Sequence, residues 1–107
     1  MTVGPVTTAL DPPPIGWGTA ARQLGDGTFT CPPGGDASRF VWGTDIYTND
    51  SSVCTAAVHA GLIDFEAGGV VVIEMRPGES SYIGTTANGV TTQSYGSWGG
   101  SFVFVDE

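Results

Sequence analysis

Residues 47–63 read Tyr47-Thr-Asn-Asp-Ser-Ser-Val-Cys-Thr-Ala-Ala-Val-His-Ala-Gly-Leu-Ile63, and this stretch decides the fold. Asn49, Asp50 and Ser51 can each accept hydrogen bonds from the orphan N–H groups of a helix start. The spacing predicts a helix through Cys54 to Ala60, stopped by Gly61, which takes the left-handed conformation at no steric cost. Val53, Ala56, Ala57 and Ala60 recur at helical spacing and form one smooth face for burial. A helix this short is stable only when packed. Its small side chains let other elements come close, so the expectation is a central helix wrapped by sheet.

Outward from the helix the chain reads as short strands and turns. Residues 28–31 alternate and suit a strand, and Gly25-Asp26-Gly27 before them is a turn signal. Residues 40–44 are a further β candidate, with residues 45–47 carrying the strand towards the helix. Residues 70–76 are β-branched and apolar on both alternating faces, as expected of a central strand, and Pro77-Gly78 is expected to turn it. Tyr82-Ile83 and residues 92–95 suit short strands around an Ala87-Asn88-Gly89 turn. Residues 101–105 close the sheet, with Phe102 and Phe104 on one face over the helix. The predicted class is α+β, with strands in one or two antiparallel-rich sheets around a single α-helix. A chain of 107 residues, 40% of them hydrophobic, supports one domain and not two. Residues 1–14, ending in three consecutive prolines, read as a Pro-rich linker or arm, and residues 15–107 as the domain, whose core begins at Trp17.

Eleven acidic residues face three Arg and no Lys, a formal charge of −8. Such a surface repels phosphate backbones and argues against nucleic acid. It also opposes anionic lipid or lipopolysaccharide, unless a divalent cation bridges the two. No apolar run approaches the roughly 20 residues needed to span a bilayer, so no membrane insertion is expected. The first ten residues lack the basic and apolar regions of an intact signal peptide. The expectation is therefore either a cytosolic protein or a secreted domain excised from a longer chain. Cys31 and Cys54 can pair only with each other. Their bond would close a loop of about two dozen residues, worth on the order of 3 kcal/mol, and points to an extracellular or periplasmic setting.

The helix segment, with Tyr47, Ser51, Cys54, Ala56-Ala57, His59, Gly61 and Ile63, resembles the LCCL domain family, whose core reads Tyr-x(3)-Ser-x(2)-Cys-x-Ala-Ala-x-His-x-Gly-x-Ile. Cys31-Pro32 with its Gly pair, residues 41–44, Gly68-Gly69, Tyr82, residues 88–90, Ser97-Trp98 and Ser101-Phe102 fit as well, so the likeness covers residues 31–105. The resemblance implies strands around one central helix, a place beside adhesive or carbohydrate-binding modules in secreted multidomain proteins, roles in ligand recognition that include lipopolysaccharide binding, and no enzymatic activity. The animal version has four cysteines, and its helix Cys pairs with one just after the Gly pair. Here Gly35-Asp36 stand in that neighbourhood, and no Cys lies near Trp17. The chain is thus a two-cysteine variant, and its Gly-Trp-Gly lead-in and lack of Lys point to a bacterial type.

Few residues carry chemistry. Cys54 and His59 lie five positions apart, about 140° around a helix, too far round for a thiolate–imidazole pair. His59 is expected to hydrogen-bond inside the core. Ser51 and Ser52 lack a Gly-x-Ser-x-Gly elbow and read as helix caps. Asp64 and Glu66 read as solvated surface. Asp45, Asn49 and Asp50 offer hard oxygen ligands for calcium, without an EF-hand's Gly and terminal Glu. The aromatics are better binding candidates, because exposed rings beside Asn, Ser and Thr can stack on sugar faces. Trp98, Tyr95, Tyr82 and Asn88 are the candidate binding residues, centred on the glycine-rich loop 95–100. No cofactor beyond calcium is implied. The expected function is a non-catalytic extracellular recognition or adhesion module for a glycan or protein partner, alongside other domains of its parent chain. The alternatives are a structural spacer or a calcium-assisted lipopolysaccharide-binding module.

Overall fold

The computed structural model describes residues 12–37 and 39–105. The predicted arm of residues 1–14 lies mostly outside them. The elements run β1 (Gly27–Cys31), β2 (Gly43–Thr44), β3 (Ile46–Thr48), α1 (Val53–His59), β4 (Gly69–Glu79), β5 (Thr86–Ala87), β6 (Val90–Thr91) and β7 (Trp98–Phe104), with a 3-10 turn at Ala21–Gln23. Five strands form one antiparallel sheet in the order β1-β4-β7-β3-β2, and β5 pairs with β6 in a separate ribbon. The fold is α+β, with strands around one helix among the described residues.

The helix start is registered by tertiary partners. Ser52, not Asn49, Asp50 or Ser51, is the N-cap, its Oγ accepting from Thr55 N–H. Ser51 Oγ is taken by Trp42 N–H at 2.9 Å. At the other end Gly61 stands at φ +82°. Its N–H donates to Val58 O and that of Leu62 to Ala57 O, the paired bonds of a Schellman stop. All seven residues of α1 are buried, whereas Ala60, predicted on the buried face, is exposed.

The core joins this helix to one face of the sheet. Cys31, Tyr47, Val71, Ile73 and Phe102 cluster with Val53, Cys54, Ala56, Ala57 and Val58. Tyr47 packs against both Phe102 and Phe104, at ring-centroid distances of 5.7 and 5.9 Å. Within β4, Val71 and Ile73 are buried while Val70 is exposed. The strand is central in order yet covered on one side, because the helix covers only one face.

Two expected β features are corrected. The chain does not run through residues 40–47 as one strand. It reverses at Asp45, whose φ is +68°, so that Gly43 pairs with Tyr47 and Thr44 with Ile46. Nor does Pro77-Gly78 end β4, since Pro77 pairs with Gly100 and the strand continues to Glu79. β1 pairs with β4 only as far as Ile73. Beyond it, Met75 N–H finds Asp26 Oδ1 at 2.6 Å and Glu79 N–H finds Tyr82 Oη at 3.0 Å. Pro77 falls between them in the same alternation, where an N–H would have no strand partner, the one place a strand proline costs little. At the sheet's other exposed edge, β1 is flanked by the prolines. Thr30 N–H donates to Pro13 O, Thr30 Oγ1 to Pro12 O, and Ile15 N–H to Thr30 O. A proline-lined edge resists pairing with a second chain.

Residues 82–83 and 92–95 make isolated bridges, Tyr82 with Tyr95 and Trp42 with Gln93. Asn88 and Gly89, at φ +52° and +81°, form the two-residue turn between β5 and β6, as the Asn-Gly pair predicts.

Candidate functional site

Cys31 and Cys54 are bonded, with Cα atoms 5.7 Å apart. The bond ties edge strand β1 to the first turn of α1 across 23 positions of sequence, and its sulfurs are unavailable for nucleophilic chemistry. Disulfides of this kind persist in oxidising compartments. Trp17 closes the same corner. Its indole N–H donates to Pro32 O at 2.7 Å and its ring meets Phe65 at 5.6 Å. Gly35 lies so close to the indole that a Cβ there would overlap the ring.

At the far end of α1, His59 is 3% exposed. Its Nδ1 lies 3.0 Å from Tyr47 Oη and its Nε2 3.0 Å from Thr85 Oγ1. The imidazole therefore links helix, sheet and ribbon with both nitrogens occupied. Burial is the main cause that pushes the Tyr47 phenol up to about 12, with the nearby Asp45 charge acting in the same direction and a backbone hydrogen bond at Asp45 opposing it. The phenol therefore stays protonated near neutral pH and serves as a hydrogen-bonding partner of His59.

Three of the four candidate binding residues come together. Tyr82 and Tyr95 exchange backbone hydrogen bonds of 2.8 and 3.0 Å, and Tyr82 Oη donates to Trp98 O at 3.2 Å. Tyr82 is buried and serves as the support. Tyr95 stands 47% exposed, edge-to-face against Trp98 with ring centroids 5.7 Å apart. The Trp98 indole N–H donates to Asn49 Oδ1 at 2.8 Å, so Asn49 acts as the anchor of that ring. Asn88 lies elsewhere. Its Nδ2 donates to His59 O at 2.9 Å, and it borders an open groove with Val58, Gly61, Leu62, Asp64 and Phe65.

The oxygens considered for calcium are partly engaged. Asp50 Oδ1 accepts from Thr48 Oγ1 at 2.6 Å and Asn49 holds Trp98. Among the described residues no three His, Cys, Asp or Glu side chains gather as a metal centre. Asp64 Oδ1 accepts from Ala67 N–H at 2.7 Å and shapes a turn. Ser52, besides capping α1, donates to Trp17 O.

One aromatic pair escaped the sequence reading. Phe40 and Trp42 stack at 5.9 Å and 20°, with Phe40 64% exposed. The alternation of residues 40–44 puts both on one face, but nothing in it says whether that face is covered.

These features define a small, disulfide-linked α+β module whose one histidine is buried in structural contacts and whose Phe40 and Tyr95 rings are exposed. The residues it shares with known proteins identify it further. The LCCL domain family matches residues 19–102, and the chain belongs to that family. It is 45% identical to vitrin of Bos taurus over 68% of its own length, 38% identical to vitrin of Homo sapiens over 88%, and 40% identical to cochlin of Cavia porcellus over 67%. The matched part is 11%, 14% and 13% of those relatives. The chain thus spans about one-eighth of the proteins it resembles.

Proposed function

We propose that this chain is a non-catalytic extracellular or periplasmic recognition module that binds a glycan or protein partner and works beside other domains of a longer protein. The observation that carries this reading is Tyr95, nearly half exposed on an edge-to-face contact with a Trp98 whose indole N–H is fixed by Asn49. An aromatic face held out by a rigid support loses little freedom on binding. The disulfide supports the setting. The small share of vitrin and cochlin that the chain matches supports a place within a larger protein. A relative carrying the description "Cysteine-rich secretory protein LCCL domain-containing 2", 45% identical over 52% of the chain, fits the same picture.

The test is a thermal-shift screen against envelope polysaccharides, lipopolysaccharide and soluble glycans, in calcium and in EDTA. A ligand of the folded state raises Tm by mass action. A saturable rise that Tyr95→Ala and Trp98→Ala abolish, with both variants folded, supports the module. A rise lost in EDTA brings Asp45, Asn49 and Asp50 into binding. No rise with any ligand favours the spacer role.

A further inference from the structure

We propose a second ligand site, a pyranose-binding pocket for neutral glycans built on Phe40 and Trp42. This inference rests on the recognition-module reading and names a substrate class and a place for it. The pocket has a volume of about 250 Å³ and is lined by Gly18, Arg39, Phe40, Trp42, Asp50 and Ser52. That is below the roughly 300–1,000 Å³ of sites for drug-sized ligands, and it suits a single ring.

Two of its lining residues are stacked aromatics. Phe40 leaves 64% of its surface in solvent while stacked on Trp42 at 20°. The axial C–H face of a pyranose is the surface such a platform accepts, since it is apolar, flat and ringed by hydroxyls. The backbone beneath is fixed. Phe40 O accepts from Ser52 N–H at 3.0 Å, Trp42 O from Thr48 N–H at 3.1 Å, and Trp42 N–H donates to Ser51 Oγ at 2.9 Å. The platform is therefore tied to the start of α1 and is preorganised.

The polar rim matches hydroxyls. The Arg39 guanidinium only donates, and the Asp50 carboxylate only accepts, with one oxygen already on Thr48. Arg39 is exposed at the edge of this pocket. The indoles of Trp17 and Trp98 donate to Pro32 and Asn49, whereas that of Trp42 meets no acceptor among the described residues. Vicinal hydroxyls donate and accept together and can use all three groups. A polyanion gains from Arg39 alone and meets a chain of net charge −8, which disfavours sulfated or uronic glycans.

The experiment titrates the ¹⁵N-labelled chain with cellohexaose, laminarihexaose, mannohexaose and chitohexaose, and with a heparin hexasaccharide as polyanion control. The expected result is saturable binding of a neutral hexasaccharide that moves the Trp42 indole resonance. Phe40→Ala then weakens binding about tenfold or more, equivalent to about 1.4 kcal/mol, and Arg39→Gln weakens it several-fold. Both side chains are exposed, so both variants should melt within about 4 °C of the parent. Binding that survives Phe40→Ala but is lost in Tyr95→Ala overturns this site and leaves the recognition module standing. Stronger binding of heparin than of any neutral sugar overturns the ligand class. No binding by any hexasaccharide overturns the site, while the module reading is decided separately by the thermal-shift screen.

Discussion

Tyr47 and Tyr95 are the same residue put to opposite uses. Tyr47 is fully buried, its ring packed on Phe102 and Phe104 and its hydroxyl held by His59. Tyr95 is 47% exposed, and its neighbour Trp98 has spent its N–H on Asn49. Around α1 no buried side-chain nitrogen or oxygen among the described residues lacks a hydrogen-bond partner, so the buried residues there maintain the fold. On the rim the polar anchors hold one ring so that another stays available. Stability and recognition are thus assigned to different aromatics and should separate under mutation.

The sharpest break of the central region is Phe102→Ala. It removes a fully buried ring and should cost about 3–5 kcal/mol, read as a large fall in the urea midpoint or loss of cooperative unfolding. Opening the disulfide should cost somewhat less. Replacing both cysteines by Ala frees a 23-residue separation and should lower stability by about 3 kcal/mol. The same loss should appear when reductant is added to the parent chain and be absent when it is added to the variant.

Tyr47 gives a pH test of burial. Its folded value of about 12 lies above the ordinary 10, so the folded state holds the proton more tightly than the unfolded chain. The contribution is complete below pH 10 and is lost as pH rises towards 12, because the unfolded chain deprotonates first. The loss should be on the order of 2–3 kcal/mol, measured by denaturant titrations across that window. Tyr47→Phe should lack this component of the decline. Smallest in stability should be Tyr95→Ala and Phe40→Ala, each within about 0.5 kcal/mol of the parent. A larger cost at either site would mean that the ring is part of the core, and the contrast between the two tyrosines would collapse.

Much of the centre was legible because it follows from local rules. Gly61 stops the helix where a left-handed residue is needed, Asn88-Gly89 makes the hairpin turn, and two cysteines leave one pairing. The helix cap was displaced because four consecutive residues can all accept an N–H. Ser52 keeps the role since Asn49, Asp50 and Ser51 are claimed by Trp98, Thr48 and Trp42. Pro77-Gly78 looked like a turn because proline forbids a ladder bond, yet the strand passes through where the neighbouring strand has already ended. On the rim, three of the four chosen residues did assemble, but their division of labour was invisible. Tyr82 became buried support, and Asn88 went to the helix end.

By itself the sequence determined the class, the central helix and its stop, the one pairing open to its two cysteines and the acidity that opposes polyanions. Each depends on chain stereochemistry or composition, which need no long-range partner. Only the tertiary structure decided which face of each aromatic is covered. Burial depends on what packs opposite, and for Phe40, Trp42 and Tyr95 that is set by residues far away in the chain.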